Sequence, residues 1–247
     1  MPRVNKKWLS RQIAGLHSGT VLLRKEISNE ALHTVRVAIK ALKSMLLQQG
    51  LSKKEYKKNF AGIALLFRTC AVSRDCRIMI EKLHSLPAFE WCIEFEKQIK
   101  NQLTNADRSV KELLNEKKFQ FQMEGELCAL RKQQKEKLLS LSPLRKACRQ
   151  TLVEQPELWH EWRKKIKAFG YMQTAIGTPT NNEKNKEFQA LQHTIGEWHD
   201  WQNIIAWLRQ HPSTCPLPNY DLLRQQAESQ GAFLHREIEH IARSISL

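Results

Sequence analysis

Apolar residues recur every three to four positions along most of the chain, which is the spacing that places them on one face of an α-helix. Between Leu32 and Leu46, for example, apolar residues stand at positions 32, 35, 39, 42 and 46. The pattern predicts an all-α protein. The predicted helices cover residues 5–26, 29–49, 53–71, 73–86, 89–117, 120–140, 143–153, 156–176, 184–209 and 219–244.

Helix ends are marked by a small number of polar residues, prolines and glycines. Ser28 is placed to cap the second helix, and residues 49–52 (QGLS) are suited to end it and to cap the next one. Pro87, Pro143 and Pro156 each fit the first turn of a helix. The segments most typical of loops are residues 177–182 and 211–219.

The composition is typical of an α-helical protein, and it also shows a strong positive charge. The 247 residues include only 9 Gly and 8 Pro, and the net charge is +15. Residues 1–83 hold 17 Lys and Arg against 5 Asp and Glu, whereas residues 84–247 hold 23 against 20. Concentrated like charge opposes compactness by self-repulsion, so it favours an anionic partner. The plainer alternative is a solvated basic face that only aids solubility.

The cysteines and the N-terminus indicate a reducing compartment. There is no CxxC pair, and the cysteines lie in apolar helical stretches, as buried free thiols do. The first residues are not followed by an apolar signal segment, and no apolar run is long enough for a membrane span. We therefore expect a cytoplasmic protein without membrane segments or disulfides. The cysteines are Cys70, Cys76, Cys92, Cys128, Cys148 and Cys215.

An internal repeat is visible in two pairs of short segments. The segment His33–Lys40 (HTVRVAIK) returns 127 residues later as His160–Lys167 (HEWRKKIK), with His, Arg, Ile and Lys at the same spacing. Residues 73–75 (SRD) precede an apolar run, as residues 198–200 (WHD) do 125 residues later. Two matched pairs in the same order predict a duplicated helical bundle, with repeats of about 1–125 and 126–247. Chance similarity between helices is the alternative.

The repeated segment places cations in a row. On a helix, the basic residues of the first copy fall within about 80° of arc and those of the second copy within about 100°. Successive cations lie about 5–6 Å apart along the helix axis, which suits a polymer of regularly spaced negative charges. Two such helices, facing each other across a pseudo-two-fold axis, would form a cationic groove. The rows are His33, Arg36, Lys40 and Lys43, and His160, Arg163, Lys164, Lys167 and Tyr171.

Two other functions compete with polyanion binding. Nucleic-acid binding accounts for the charge equally well, but a helix-turn-helix, zinc or RNP signature is absent from the sequence. A metal-dependent phosphohydrolase would use His33, His160, His199, Asp75 and Asp200. Arg and Lys beside these histidines disfavour a divalent metal, and an Asp before an apolar run more often caps a helix or orients a nearby Arg. We therefore expect no catalytic residues, no metal and no cofactor.

The repeated H-x-x-R-x-x-x-K pattern resembles the conserved histidine α-helical domain family, known as CHAD. The first copy, His33 to Lys43, is similar to that family's H-x-x-R-x-x-x-[RK]-x-x-[RK] segment. The second copy, from His160 to Tyr171, and the segment from Leu191 to Asp200 resemble its second half. The similarity spans nearly the whole chain.

The resemblance implies two four-helix bundles related by pseudo-two-fold symmetry, with a basic central cavity that binds inorganic polyphosphate without catalysis. It also implies association with polyphosphate granules in the cytoplasm. The chain departs from the family pattern at two positions where Arg is common, Gly170 and His199, so the second half is expected to contribute less charge. The predicted binding residues are His33, Arg36, Lys40, Lys43, Arg74, Arg77, His160, Arg163, Lys164, Lys167, Tyr171 and His199.

Overall fold

A computed structural model of the chain describes residues 4–132, 158–177, 183–212 and 217–246. These residues form α-helices and one short 3-10 helix, Pro87–Trp91, and they contain no strand, which confirms the all-α prediction. The predicted helix at 143–153, Pro143, Pro156, Cys148 and Cys215 lie outside the described residues. The helices are α1 (Lys6–Lys25), α2 (Asn29–Gln48), α3 (Lys53–Asn59), α4 (Ala61–His84), α5 (Ile93–Asn115), α6 (Lys117–Lys132), α7 (Trp159–Ala175), α8 (Glu183–Gln210) and α9 (Leu217–Ser246).

The predicted caps around α2 are confirmed. The Ser28 hydroxyl accepts a hydrogen bond from the Ala31 amide at 3.1 Å. After α2, Gly50 adopts a φ of 97°, in the left-handed region that glycine reaches without strain. Ser52 then begins α3 with a capping box, in which its hydroxyl accepts from the Glu55 amide and the Glu55 carboxylate accepts from the Ser52 amide.

The predicted break between helices near residue 72 is wrong. The chain breaks at Phe60, and α4 runs without interruption from Ala61 to His84. The first amides of α4 are satisfied by Glu126 of α6, whose carboxylate oxygens accept from Gly62 at 2.7 Å and from Ile63 at 2.8 Å. A carboxylate at a helix N-terminus also interacts favourably with the helix dipole.

Asp75 and Asp200 do not cap helices, because they lie inside α4 and α8. The other half of that expectation, that they orient a nearby Arg, stays a prediction. The predicted helix over 89–117 is in fact the 3-10 helix Pro87–Trp91, with Pro87 in its first turn, followed by α5. The predicted loop at 211–219 extends too far at its end, since α9 begins at Leu217.

The chain forms two compact units, and α4, α5 and α7 each contribute residues to both of them. Among the described residues, the first unit comprises 4–74, 104–132 and 168–177. The second comprises 75–103, 158–167, 183–212 and 217–246. A compact unit and a sequence repeat are different divisions of a chain, so the repeat boundary near residue 125 stays a prediction.

The first unit is built on the packing of α1 against α2. Leu9, Leu16 and Leu23 of α1 are fully buried. The two helices approach so closely that a Cβ at Gly19 would lie 2.6 Å from Val35 Cγ2. This contact fixes the apolar face of α2, and with it the position of the basic edge that borders this face.

The second unit has its own core, in which α8 and α9 pack together with the 3-10 helix. Phe95, Ile204, Leu208 and Leu223 are buried there. The Tyr220 hydroxyl donates to the Leu208 carbonyl at 3.0 Å, so this buried polar group is satisfied.

Most of the described cysteines agree with the sequence analysis. Cys70, Cys76 and Cys92 are buried free thiols, whereas Cys128 is exposed, contrary to prediction. Within the described ranges, no helix combines the length and the apolar character that crossing a membrane requires.

Candidate functional site

The basic edge of α2 lies in the first unit. His33 and Lys43 are exposed, Lys40 is half-buried, and Arg36 is only 9% exposed. Val35 and Ile39, between them in sequence, are buried in the core. The row predicted from the sequence therefore follows the boundary between core and solvent, with Arg36 on its buried side.

Arg36 is held against α4. Its Nη1 donates to the Phe67 carbonyl at 3.1 Å, and its guanidinium lies 4.4 Å from the centre of the Phe67 ring. The Lys40 ammonium lies 5.8 Å from the centre of the same ring. Attraction between a cation and an aromatic face is favourable by about 0.5–2 kcal/mol, so these contacts restrict two cations of the row to a defined place.

The Lys43 ammonium has an aromatic contact of its own. It lies 5.3 Å from the centre of the Tyr56 ring, which belongs to α3. Tyr56 is buried, and burial together with the nearby Glu126 carboxylate raises the pKa of its hydroxyl to about 12. Tyr56 therefore stays neutral at physiological pH and presents only its ring to the lysine.

The second unit repeats the arginine arrangement. Arg163 Nε of α7 donates to the Gln192 carbonyl of α8 at 3.0 Å. The guanidinium lies against Gly196, where an added Cβ would be 2.9 Å from Arg163 Cζ and nearer still to Nη2. Gly196 is buried inside α8, so its lack of a side chain provides the space that Arg163 occupies.

The two arginine hydrogen bonds follow the spacing of the sequence repeat. Arg163 stands 127 positions after Arg36, and the acceptor Gln192 stands 125 positions after the acceptor Phe67. These are the offsets that separate the His-x-x-Arg segments and the Arg-Asp and His-Asp pairs. In each unit, the repeated spacing thus corresponds to a bond from the arginine guanidinium of one helix to a backbone carbonyl of another, donated by Nη1 of Arg36 and by Nε of Arg163.

Two predicted histidines meet in the second unit. The rings of His160 and His199 lie 4.0 Å apart at an angle of 34°. Burial, followed by the charges of His199, Lys164 and Arg163, lowers the pKa of His160 to about 4. Burial also lowers the pKa of His199, against the opposing effect of Asp200 and Asp75. Both rings are therefore neutral at pH 7.

The histidine pair predicts a pH dependence of stability. The pKa of His160 is about 4 in the folded protein and 6.5 when unperturbed, so between these values the unfolded chain binds a proton that the folded chain does not. The free energy of unfolding should therefore fall as the pH falls from about 6.5 towards 4. Urea unfolding at pH 7 and pH 5 measures this loss.

The matched comparison uses two variants. His160→Asn should reduce the loss of stability between pH 7 and pH 5, because it removes the group that takes up the proton. His240→Asn, at an exposed position of α9, should leave the loss unchanged. If His160→Asn showed the full wild-type loss, protonation of His160 would not be its cause.

The remaining predicted residues are distributed over both units. Lys164 is exposed and pairs with Glu161 at 2.6 Å. Tyr171 is half-buried and packs against the core of the first unit. Gly170 has open space around it, since a Cβ there would meet no atom within 4 Å. The others, Lys167 of α7 and Arg74 and Arg77 of α4, are half-buried.

Several residues that hold the site together were missed by sequence reasoning. Phe67 and Tyr56 are not among the predicted binding residues, although their rings contact the basic row. Gln192 acts through its backbone carbonyl, for which a sequence has no signal. Gly196 did have one, because an isolated glycine inside a helical pattern often marks a close packing contact.

The described residues also contain no group of three or more His, Cys, Asp or Glu side chains arranged to hold a metal ion. Within those residues, the hydrolase alternative built on His33, His160, His199, Asp75 and Asp200 has no set of metal ligands.

Comparison with known proteins identifies the family. The sequence model of the CHAD domain matches residues 8–209. A search of curated proteins found no match. Among solved structures, PptA from Streptomyces chartreusis matches with a TM-score of 0.72 and 15% sequence identity, over 99% of this chain and 100% of that chain. At this identity the likeness concerns the fold, whereas the domain match covers most of the sequence. The chain belongs to the CHAD domain family.

Proposed function

We propose that this protein binds inorganic polyphosphate through the basic edges of α2 and α7, and that it does so without catalysis. The observation that carries the proposal is the row of cations on α2, in which Arg36 and Lys40 are held on the Phe67 ring and Lys43 on the Tyr56 ring. The arginine at the corresponding place on α7 is held against the α8 backbone.

The arrangement suits a linear polyanion for a physical reason. Cations at one per helical turn meet successive negative charges of an extended polymer, whereas a single small phosphate would need donors that converge on one point. Side chains that are already held lose less conformational entropy when the ligand binds. Arg36 and Arg163 also bond to the backbone of a neighbouring helix, so they stabilise the fold as well as supplying charge.

The experiment replaces lysines rather than arginines, because the arginines bond to the backbone. Lys40→Gln with Lys43→Gln removes two charges from α2, and Lys164→Gln with Lys167→Gln removes two from α7. We expect each pair to weaken the binding of long-chain polyphosphate by roughly tenfold or more and to reduce the slope of log affinity against log salt. Fluorescence or calorimetric titration at several salt concentrations measures both quantities.

A matched control removes the same charge elsewhere. Lys117 and Lys118 are exposed residues at the start of α6, and Lys117→Gln with Lys118→Gln should change the affinity by less than threefold. An equal loss in this control would mean that net charge, and not the α2 and α7 edges, determines binding.

Two further results would contradict the proposal. The first is that duplex DNA or RNA displaces long-chain polyphosphate at moderate salt, which would favour a nucleic-acid-binding protein. The second is release of phosphate that needs added Mg²⁺ or Mn²⁺ and is abolished by Asp75→Asn, which would identify an enzyme. Location in the cytoplasm with polyphosphate granules is part of the proposal and can be followed with a fluorescent fusion.

A further inference from the structure

Helix α3 carries a concentration of lysines that the α2 and α7 rows do not include. Its seven residues, Lys53–Asn59, contain four lysines, all of them exposed. The only acidic residue, Glu55, is engaged in the capping box with Ser52. Burial places Tyr56 on the opposite, inward face. The lysines are Lys53, Lys54, Lys57 and Lys58.

This distribution of charge works against the helix. Lys53 and Lys54 occupy the first turn, where the helix dipole disfavours positive charge. Lys53 with Lys57 and Lys54 with Lys58 are like-charged pairs at i, i+4, each destabilising by about 0.2–0.5 kcal/mol. Within the described residues, none of the four lysines has an ion-pair partner. Lys57 and Lys58 lie in the last turn, where the helix dipole favours positive charge, but this does not account for Lys53 and Lys54 in the first turn.

Other contacts hold α3 in place in spite of its charge. A helix of seven residues is too short to be stable alone. Its first turn is fixed by the capping box, and its inner face by Tyr56 and Phe60, which are buried with ring centres 5.9 Å apart. The four lysines are thus presented on a rigid backbone, while their long side chains remain free to adapt.

The basic row of α2 leads directly to this helix. Lys43, the last cation of the row, places its ammonium 5.3 Å from the centre of the Tyr56 ring of α3. The row of α2 therefore ends at α3, whose four lysines lie on its exposed face, and both helices belong to the first unit.

We propose that α3 is a second contact segment for the polyanion, reached only by chains long enough to extend past the α2 row. This inference rests on the proposed function and adds to it a preference for long linear polyphosphate. Lysine is a compact charge on a flexible stem, so four of them follow a mobile polymer without requiring a fixed geometry. When a short oligophosphate binds to the α2 row, the cations of that row neutralise its negative charges, so α3 adds nothing to its affinity.

The test compares two ligands, tripolyphosphate and long-chain polyphosphate of many tens of units. The variant changes Lys53, Lys54, Lys57 and Lys58 to Gln together. We expect its affinity for the long polymer to fall by roughly tenfold or more, since each lost phosphate contact also removes counterion release. Its affinity for tripolyphosphate should change by less than about threefold.

Two control proteins test whether a loss of affinity comes from the charge at α3, from the net charge of the protein or from a change in folding. One replaces four other exposed lysines by Gln and should keep the wild-type ratio of the two affinities. The other changes the four α3 lysines to Arg and should retain binding of the long polymer. The glutamine variant should melt no lower than wild type, because like-charge repulsion is removed. The control lysines are Lys111, Lys117, Lys118 and Lys132.

The outcomes distinguish this inference from the proposed function. If the wild-type protein binds neither ligand, the proposed function fails, and the role of α3 fails with it. The other outcome is that the wild-type protein binds both ligands, while the glutamine variant shows the same change in affinity for tripolyphosphate as for the long polymer, or no change for either. In that case α3 does not contribute to a preference for long chains, and only this inference is overturned.

Discussion

Glu126→Ala is expected to lower the free energy of unfolding by about 2–4 kcal/mol, the largest effect on stability among the substitutions considered. Glu126 is only 7% exposed, and its carboxylate accepts hydrogen bonds from the Gly62 amide at 2.7 Å and the Ile63 amide at 2.8 Å. The Gln122 side chain donates a further bond at 2.9 Å. Alanine would leave the two buried amides of α4 without an acceptor.

The magnitude can be measured by urea unfolding, with two variants for comparison. Glu126→Gln keeps one carbonyl oxygen and loses the charge at the α4 N-terminus, so its loss should be smaller. Glu124→Ala changes an exposed carboxylate of the same helix and should stay within about 0.5 kcal/mol of wild type. If Glu126→Ala were as mild as Glu124→Ala, water would be satisfying the amides and the cap would contribute little.

Glu126 also explains which helix boundaries the sequence could predict. Ser28 and Ser52 cap α2 and α3 from adjacent positions, so their signals are local, and both boundaries were predicted. No proline marks the break at Phe60, and Gly62 lies inside the first turn of α4; the cap comes from Glu126, 64 positions after Gly62. A boundary that depends on a distant side chain is not visible in a local pattern.

Ser73 illustrates the opposite error. Because it precedes an apolar run, it resembled a boundary, yet it lies inside α4, fully buried, and its hydroxyl donates to Asp107 of α5 at 2.5 Å. A serine that bonds to another helix has the same local sequence as a serine that begins one. Only the tertiary structure separates the two cases.

For the candidate site, the sequence predicted which edge of α2 is basic, but not which residues contact the cations of that edge. The arc on α2 put Arg36 at the border of the apolar face, which is where it lies. Its contacts with Phe67 depend on how α4 packs against α2, which the pattern of α2 alone does not show. Arg36 and Arg163 were expected to bind phosphate; the structure adds that each bonds to the backbone of a neighbouring helix.

Gly196→Ala is expected to lower the free energy of unfolding by about 1–3 kcal/mol, although alanine is the better helix former by about 1 kcal/mol. A Cβ at this position would lie 2.9 Å from Arg163 Cζ and 3.1 Å from Nε, distances at which the guanidinium must move. Moving it breaks the 3.0 Å bond from Nε to the Gln192 carbonyl, and hydrogen bonds from charged groups contribute about 1.5–3 kcal/mol. Loss of this bond outweighs the gain in helix propensity.

A double-mutant cycle with Arg163→Gln tests whether the guanidinium is the cause. In the Arg163→Gln background, Gly196→Ala should leave the free energy of unfolding unchanged or raise it by up to about 1 kcal/mol. The reason is that only the difference in helix propensity remains once the guanidinium is absent. Gly231→Ala is the control in the same unit: it is also a buried glycine inside a helix, but its nearest neighbours are the ends of the Gln202 and Ile205 side chains.

The cycle also has a functional readout. Because the Arg163 charge contributes to the low pKa of His160, displacing the guanidinium should raise that pKa, which an NMR titration of the ring would detect. A Gly196→Ala protein with unchanged stability and an unchanged His160 titration would show that Arg163 finds another place without loss. In that case, the contact with the α8 backbone would not be what positions the second basic edge.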